Sequence, residues 1–540
     1  MKQLIVLAGI LSSLAGWSQV ISVELIDHYT VNEVEDIVSG FGIPADFLPL
    51  EYEVDFYQIH YLTPHPSGDS VLATGALCLP SGVTCPLPLS SYQHGTMAKK
   101  TDAPSTGGGE LDLGILYASV GYAITLPDYI GLGEGEGFHL YVHAESEANA
   151  ALDLLRAAQD LQEQLEYTFD GQLFIWGYSQ GGHATAALQR KIETEVSDEF
   201  TITASALMSG PYDISGAQAE VITSDQPYPT PGYLPYVVLS YQEVYGNLYE
   251  SLEDVFLPEY AAIIPTVFDG NTGMGTINSY FPDVPNQALL PEVLEAFEND
   301  PNHPIRIALE DNDVMDWIPQ VPTNIYYCQA DDQVIYLNSV NAYDTFVSNG
   351  STSVQIFNGG DYDHGGCAPL AMLAGFNFFQ DSRVPAFNPV ATLNATAAST
   401  ASSSDGSITV ELDNPGNWSY EWSNGTTELN LENLPPGFYI LTITDENGCT
   451  ASFSAAVGVI NGVEEWSQNS VQLFPNPAVD EVTIRVRHAS NAQVLDAAGR
   501  VMAVCHLPNG ESPLSIKDLA PGMYVLKLET GACVRFSVGI

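Results

Sequence analysis

Positive charge is scarce in this chain: 14 Lys and Arg stand against 67 Asp and Glu over 540 residues, a formal net charge of −53. A field of that sign repels phosphate backbones and anionic membrane surfaces, which excludes nucleic-acid binding. Long apolar runs are also missing. Beyond the N-terminus no stretch offers the roughly 18 to 20 uninterrupted apolar residues that a membrane-spanning helix needs. Cysteine is sparse, with seven residues at 78, 85, 328, 367, 449, 505 and 533, and no two stand in a C-x-x-C spacing, so a zinc site has no support. Disorder is excluded from the other side, since 45% of residues are hydrophobic and only 15% charged. At about 150 residues per domain the length implies three or four units.

The charge deficit is uneven. Residues 467–540 hold six basic and six acidic side chains, leaving 8 basic against 61 acidic in residues 1–466. The tail is a different kind of surface, and the acidity of the remainder suits solubility in a salty exterior. The chain opens with Lys2, an apolar run from Leu4 to Leu11, and small residues ending Gly16-Trp17-Ser18-Gln19. This pattern is that of a secretory signal over 1–18, with cleavage after Ser18 and no following Cys to carry a lipid. Export to an oxidising compartment permits disulfides. Cys78 and Cys85 flank the turn signal Pro80-Ser81-Gly82, and Cys505 and Cys533 lie in candidate strands of the tail, so both are candidate pairings, although connectivity cannot be read from sequence.

Residues 55–390 alternate short β-rich runs (87–92, 123–126, 173–176, 204–208, 325–328) with helical stretches, which predicts an α/β domain with a parallel sheet covered by helices. Ala144 to Leu165 reads as a helix, with Ala148, Ala151, Leu152, Leu155 and Ala158 on its apolar face and charge on the others. From about 212 to 318 the rhythm lapses into a Tyr- and Pro-rich segment too long for a loop, read as an inserted cap. After Pro389 a new domain begins. Short alternating strands broken by Asn414-Pro415-Gly416 and Asn447-Gly448 predict a small β-sandwich, and a second follows. The two share an echo, Leu434-Pro-Pro-Gly-Phe-Tyr-Ile-Leu441 and Leu519-Ala-Pro-Gly-Met-Tyr-Val-Leu526.

The strongest chemical signal is Gly177-Tyr178-Ser179-Gln180-Gly181 between the apolar run 173–176 and the helical Ala184-Thr185-Ala186-Ala187-Leu188. In G-x-S-x-G the turn is so tight that only glycine fits on either side of the serine, whose hydroxyl is thrust above the sheet edge. Ser179 is the candidate nucleophile. A serine hydroxyl needs a histidine to take its proton and a carboxylate to orient that histidine. His364 fits best, in Gly359-Gly360-Asp361-Tyr362-Asp363-His364-Gly365-Gly366 after the strand 354–357. The acid is expected between serine and histidine at a strand end, where Asp331 and Asp332 compete. For the oxyanion, one donor is the Gln180 amide and the second is assigned to Thr96 in Tyr92-Gln93-His94-Gly95-Thr96; His94 shapes that loop. This chemistry requires neither a metal nor an organic cofactor.

These residues, with Asp128-Tyr129-Ile130-Gly131-Leu132-Gly133, resemble α/β-hydrolases of the secretory lipase type over about residues 50–385. The resemblance implies an α/β-hydrolase fold with a cap over an acyl pocket, a serine carboxylic-ester hydrolase acting on ester or lipid substrates, and Ser179, Asp331 and His364 as triad. Asp331 is favoured over Asp332 because Val334 gives it the D-x-x-V spacing of such hydrolases. Asp128 and His139 match the family as loop structure. The rivals are a serine peptidase or acyltransferase with the same triad, and a non-catalytic surface adhesin. Residues 402–452 resemble repeats of gliding-motility adhesins, read as a spacer. Leu473-Phe474-Pro475-Asn476-Pro477, Val494-Leu-Asp-Ala-Ala-Gly-Arg500 and the 519–528 segment resemble the C-terminal sorting domain of type IX (Por) secretion, which implies that export machinery as a partner and a secreted or cell-surface location. The expected order is therefore a signal (1–18), a hydrolase domain (19–388, cap about 212–318), an Ig-like sandwich (389–460) and a sorting domain (467–540).

Overall fold

A computed structural model of the chain describes residues 5–6, 20–40, 50–413, 415–459, 471–474, 478, 481–486, 488–496, 500–517, 519, 522–529 and 533–538. Apart from Ile5–Val6, the expected export signal lies outside the described residues. So do Pro475-Asn476-Pro477, Ala497-Ala498-Gly499 and Ala520-Pro521 of the tail motifs. The chain divides into two units, Met1–Asn388 with Asn447–Cys449, and Pro389–Glu446 with Thr450–Ile540.

The first unit is built on strands β1 (Ile5–Val6), β2 (Val20–Tyr29), β3 (Val54–Pro64), β4 (Ser70–Pro80), β5 (Leu87–Gln93), β6 (Ala123–Pro127), β7 (Phe169–Tyr178), β8 (Ile202–Met208), β9 (Thr323–Tyr327) and β10 (Val354–Asn358). They form one sheet in the order β1-β2-β3-β4-β6-β5-β7-β8-β9-β10. From β6 to β10 every pairing is parallel, as the alternation predicts. The strands β1 to β4 join antiparallel, and β4 meets β6 antiparallel. Strand β3 escapes a search for buried runs because it largely alternates buried and half-buried residues, the pattern of a strand with one wetter face.

The helices are α1 (Val31–Gly40), α2 (Leu111–Ser119), α3 (Ala144–Asp160), α4 (Gln180–Glu195), α5 (Ala219–Thr223), α6 (Tyr233–Tyr245), α7 (Pro258–Val267), α8 (Met274–Asn278), α9 (Pro291–Asn299), α10 (Pro304–Asp311), α11 (Leu337–Ser348) and α12 (His364–Ser382). Strand β7 shows how the layers close. Phe174 and Trp176 enter a core shared with α1, α2 and α12, whereas Leu173 and Ile175 enter one shared with α3 and α4. Successive side chains point to opposite faces, so a continuous apolar run can serve two layers.

Helix α3 ends at Asp160, short of the expected Leu165. The regular ladder breaks at Gln162, whose N bonds Gln159 O three residues back, while the Ala158 carbonyl accepts the Tyr167 hydroxyl instead. The charge of α3 is also not confined to its outer faces, since Glu147 and Asp153 are buried. The segment 212–318 is helical, α5 to α10, with its own core of residues such as Tyr236, Tyr241, Phe256 and Ile264. Tyr236 and Tyr241 thus pack within this segment.

In the second unit, β11 (Val390–Thr396), β12 (Gly406–Asp413) and β14 (Leu431–Leu434) make one sheet, and β13 (Ser419–Trp422), β15 (Gly437–Thr444) and β16 (Thr450–Val457) another. Farther along, β17 (Val471–Phe474), β18 (Glu481–Val486) and β21 (Gly510–Ser515) pair, as do β20 (Val501–Leu507), β19 (Ser490–Asp496), β22 (Gly522–Leu528) and β23 (Cys533–Val538) in that order. The echoed segments open β15 and β22 at their glycines, and each pairs antiparallel with the next strand. Tyr439 and Tyr524, two residues on, are both buried.

Neither candidate pairing forms. Cys85 bonds Cys449 and Cys328 bonds Cys367, while Cys78 and Cys505 are free. Cys78 points into the core beneath α2, where a Cβ on Gly114 would lie 3.2 Å from its sulfur. Cys505 on β20 and Cys533 on β23 are separated by two intervening strands, roughly 14 Å at the usual spacing, beyond the reach of a disulfide.

Candidate active site

The glycines of the serine turn are demanded by contact. A Cβ on Gly181 would lie 1.8 Å from the Gln93 carbonyl oxygen, and one on Gly177 would lie 2.3 Å from that of Gly181. Ser179 pays for this closeness in backbone geometry, at φ 61° and ψ −124°, a region that non-glycine residues hold only when their surroundings enforce it. Here Ser179 N donates to Met208 O at 3.0 Å, and Ser179 O accepts from Gly182 N at 2.9 Å. The serine therefore caps α4 between β7 and the helix. Gln180, the first residue of α4, contributes an amide that has no acceptor within the helix.

His364 is the first residue of α12, behind Asp363, whose carboxylate accepts from Gly366 N at 2.8 Å. Its Nδ1 lies 2.8 Å and 3.0 Å from the two carboxylate oxygens of Asp331. Asp331 is held in turn by the amides of Val334 (2.9 Å) and Gln333 (3.1 Å), which is the physical content of the D-x-x-V spacing. Asp332 takes another part, accepting the backbone amide of His364 at 3.2 Å. All of Ser179, Asp331 and His364 are buried. The imidazole packs on Tyr178, the residue before the serine, with ring centroids 4.8 Å apart, and the Tyr178 hydroxyl donates to His364 O at 2.6 Å. The Ser179 hydroxyl itself makes no hydrogen bond to the ring. Cys328 and Cys367 close the arrangement, each three residues from its partner, Asp331 or His364.

The opposite wall is the turn after β5. Gly95 lies against the serine, an added Cβ being 4.0 Å from the Ser179 Cβ. Gly95 N donates to Glu110 at 3.1 Å, and the Tyr92 hydroxyl donates to the same carboxylate. The next residue, Thr96, is half-buried with its hydroxyl 3.1 Å from that of Tyr141. His94 is buried, with ring nitrogens facing Gly95 O (2.7 Å) and Asp128 O (3.2 Å). Asp128 accepts from Thr74 (2.6 Å) and Ser105 (2.9 Å), and burial raises its carboxyl above the usual range. Burial likewise pushes His139 down to about 3.

Ser179 and Gln180 open on an apolar cavity walled by Tyr141 and by residues of the 212–318 segment including Val237, Leu289, Phe297 and Ile305. Tyr233 and Tyr228 also line it. A second, more open hollow meets Asp331 and Asp332. Among the described residues no cluster of three or more His, Cys, Asp or Glu side chains is arranged to hold a metal, and no helix is long and apolar enough to cross a membrane. Sequence patterns gave no notice of Glu110, Glu147 or His183. The available signal was a carboxylate and a histidine in the midst of small apolar residues on α3 and α4.

A central mixed sheet flanked by helices, with a serine turn at the end of β7, an acid after β9 and a histidine after β10, defines an α/β-hydrolase. Residues 110–381 match the secretory lipase family, and the chain belongs to it. Residues 472–535 match the secretion system C-terminal sorting domain. No curated protein matches the chain. Among solved structures it is similar to a ligand-bound form of the rice cell wall degrading esterase LipA from Xanthomonas oryzae, at 27% identity over 67% of this chain and 97% of that one, TM-score 0.60. It is similar also to a hydrolase from Legionella pneumophila, at 26% identity over 68% and 100% of the two chains, TM-score 0.63. Candida antarctica lipase A in its closed state shares the fold, at 15% identity over 67% and 81%, TM-score 0.51. The protein is a secreted or cell-surface ester hydrolase, and its tail marks it for the type IX machinery.

Proposed function

We propose that the protein is a serine carboxylic-ester hydrolase that works through an acyl-enzyme, with Ser179 as nucleophile, His364 as general base and then acid, and Asp331 holding the imidazole. The observation that carries this reading is the buried Asp331–His364 pair packed on Tyr178, beside a serine held at φ 61°. With Nδ1 bound to the carboxylate, Nε2 is free to accept the serine proton. A serine–histidine contact of this kind tightens when substrate fills the site. The Gln180 amide heads α4, where the helix dipole favours negative charge. Together with the Thr96 amide it serves the oxyanion, and water then cleaves the acyl-enzyme. The apolar cavity beside Ser179 suits the acyl chain of an ester or lipid. Within the chain, 19–388 acts as the hydrolase with 212–318 as its cap, 389–460 as a spacer sandwich and 467–540 as the sorting domain.

The test pairs a chain-length series of p-nitrophenyl esters with a fluorophosphonate probe. The wild type is expected to turn over esters and to be labelled, and Ser179→Ala to lose both, hydrolysis falling by at least about 10³-fold. Peptide cleavage without ester cleavage would make it a peptidase. Folded wild type that fails to label would make the domain a binding module.

A further inference from the structure

Behind the serine turn lies a set of buried polar groups that the reaction as described does not use. Glu147 on α3 and His183 on α4 are 1% and 0% exposed, and Glu147 Oε2 is 2.8 Å from His183 Nδ1. The other ring nitrogen, Nε2, faces the Asn312 carbonyl oxygen at 2.9 Å and must carry a proton to bond it. One further proton therefore lies between Glu147 Oε2 and His183 Nδ1, and the pair is neutral as a whole whichever atom holds it. That neutrality is what permits full burial.

The remaining Glu147 oxygen, Oε1, accepts from Gln180 Nε2 at 2.7 Å. The second proton of that amide group points at His139 Nε2, 2.9 Å away. His139 is kept neutral by burial and spends its Nδ1 proton on Ile130 O at 3.0 Å, so Nε2 is an acceptor. Both donors of the Gln180 side chain are thus met by acceptors, Glu147 Oε1 wherever the shared proton lies and His139 Nε2 by its tautomer. At the far end Asn312 follows α10 of the cap, accepts Ala144 N at 2.8 Å and donates to the Tyr245 hydroxyl and Ala308 O, each at 2.8 Å.

We propose that Glu147 and His183 are positioning residues that hold Gln180, and with it the oxyanion-binding amide at the head of α4, while tying the end of cap helix α10 to the same point. The inference rests on the serine-hydrolase reading above. Its chemistry separates substitutions that look alike. Glu147→Gln keeps every bond, because a carboxamide donates to a neutral His183 Nδ1 and its oxygen still accepts from Gln180. Glu147→Leu matches the size and breaks both.

The experiment measures kcat per fluorophosphonate-labelled site and KM on a p-nitrophenyl ester in the full chain. Glu147→Gln is expected to stay within about three-fold of wild type. Glu147→Leu is expected to lose about 10- to 100-fold in kcat with KM unchanged, less than the loss of an oxyanion donor outright. Adding Gln180→Leu to Glu147→Leu should lower kcat no further than Gln180→Leu alone. A purely structural role would reduce the labelled fraction and leave kcat per site intact, and that result would overturn the proposal. So would a change confined to KM, or a double variant below both singles. If Glu147→Leu yields no folded protein, Gln180→Leu decides, since an unchanged kcat per site there sinks the inference. Wild type that is folded but unlabelled would instead bring down the serine-hydrolase reading, and this inference with it.

Discussion

The two sides of the site are held by different physics. On the serine side, position comes from backbone fit: Gly177 and Gly181 allow β5, β7 and α4 to touch, and Ser179 is locked by its own amide and carbonyl. On the acid and histidine side, two loops after β9 and β10 meet through one carboxylate–imidazole contact and one disulfide, Cys328–Cys367. The first arrangement cannot be loosened without unfolding the turn. The second is a clamp between segments 39 residues apart, and its parts can be removed one at a time.

The sharpest way to break this comparison is to change the acid. Asp331→Asn keeps the shape but offers His364 Nδ1 an amide in place of a carboxylate. Esterase kcat is expected to fall by about 10⁴-fold, the scale seen when a triad acid is made neutral. Asp332→Asn keeps an oxygen for the His364 amide and should cost less than about ten-fold. Equal losses in the two variants would mean that the clamp has been assigned to the wrong aspartate.

A smaller effect is expected from the covalent half. Replacing Cys328 and Cys367 together by serine frees a loop whose closure is worth about 4 kcal/mol by chain entropy. The unfolding midpoint in urea should drop accordingly, and kcat should fall more than in any variant that destabilises the β2 to β4 edge equally. Identical kcat in those two comparisons would show that the bond steadies the fold without serving the acid and histidine.

The smallest effect is one of pH. His143 caps α3 through Nδ1, which accepts from Ser146 N, and burial holds its pKa down to about 4. Because the unfolded chain takes up the proton near pH 6.5, stability from neutral His143 is present above that pH and is lost as pH falls toward 4. His143→Asn keeps a capping oxygen without the titration. Relative to that variant the wild type should lose up to about 1.4 kcal/mol per pH unit across this window. Urea midpoints from pH 7 to 4.5 that run parallel would refute it.

What the sequence made legible follows the same division. The serine turn announces itself because its demands are local, two glycines, a strand before and a helix after, all within about fifteen residues. Asp331 and His364 stood out as candidates by chain order and strand ends, yet the contact that separates Asp331 from Asp332 depends on how the turn points each side chain. Strands buried on both faces, such as β5 and β6, stood out as apolar runs; β2 and β3, whose burial is broken by wetter positions, did not. The disulfides were beyond reach because pairing follows strand order, and Cys505 and Cys533 looked like neighbours only along the chain. Glu147 and His183 lie 36 residues apart, each an anomaly on its own helix until α3 and α4 are packed.

The free thiols have a practical consequence. Cys78 is sealed in the core with its pKa pushed up by burial, whereas Cys505, in the tail, is only partly covered. A maleimide dye added to native protein therefore marks the C-terminal module and leaves the hydrolase dark. If that module is cut off during export, fluorescence should be lost as the enzyme matures, and a gel would show it without any antibody.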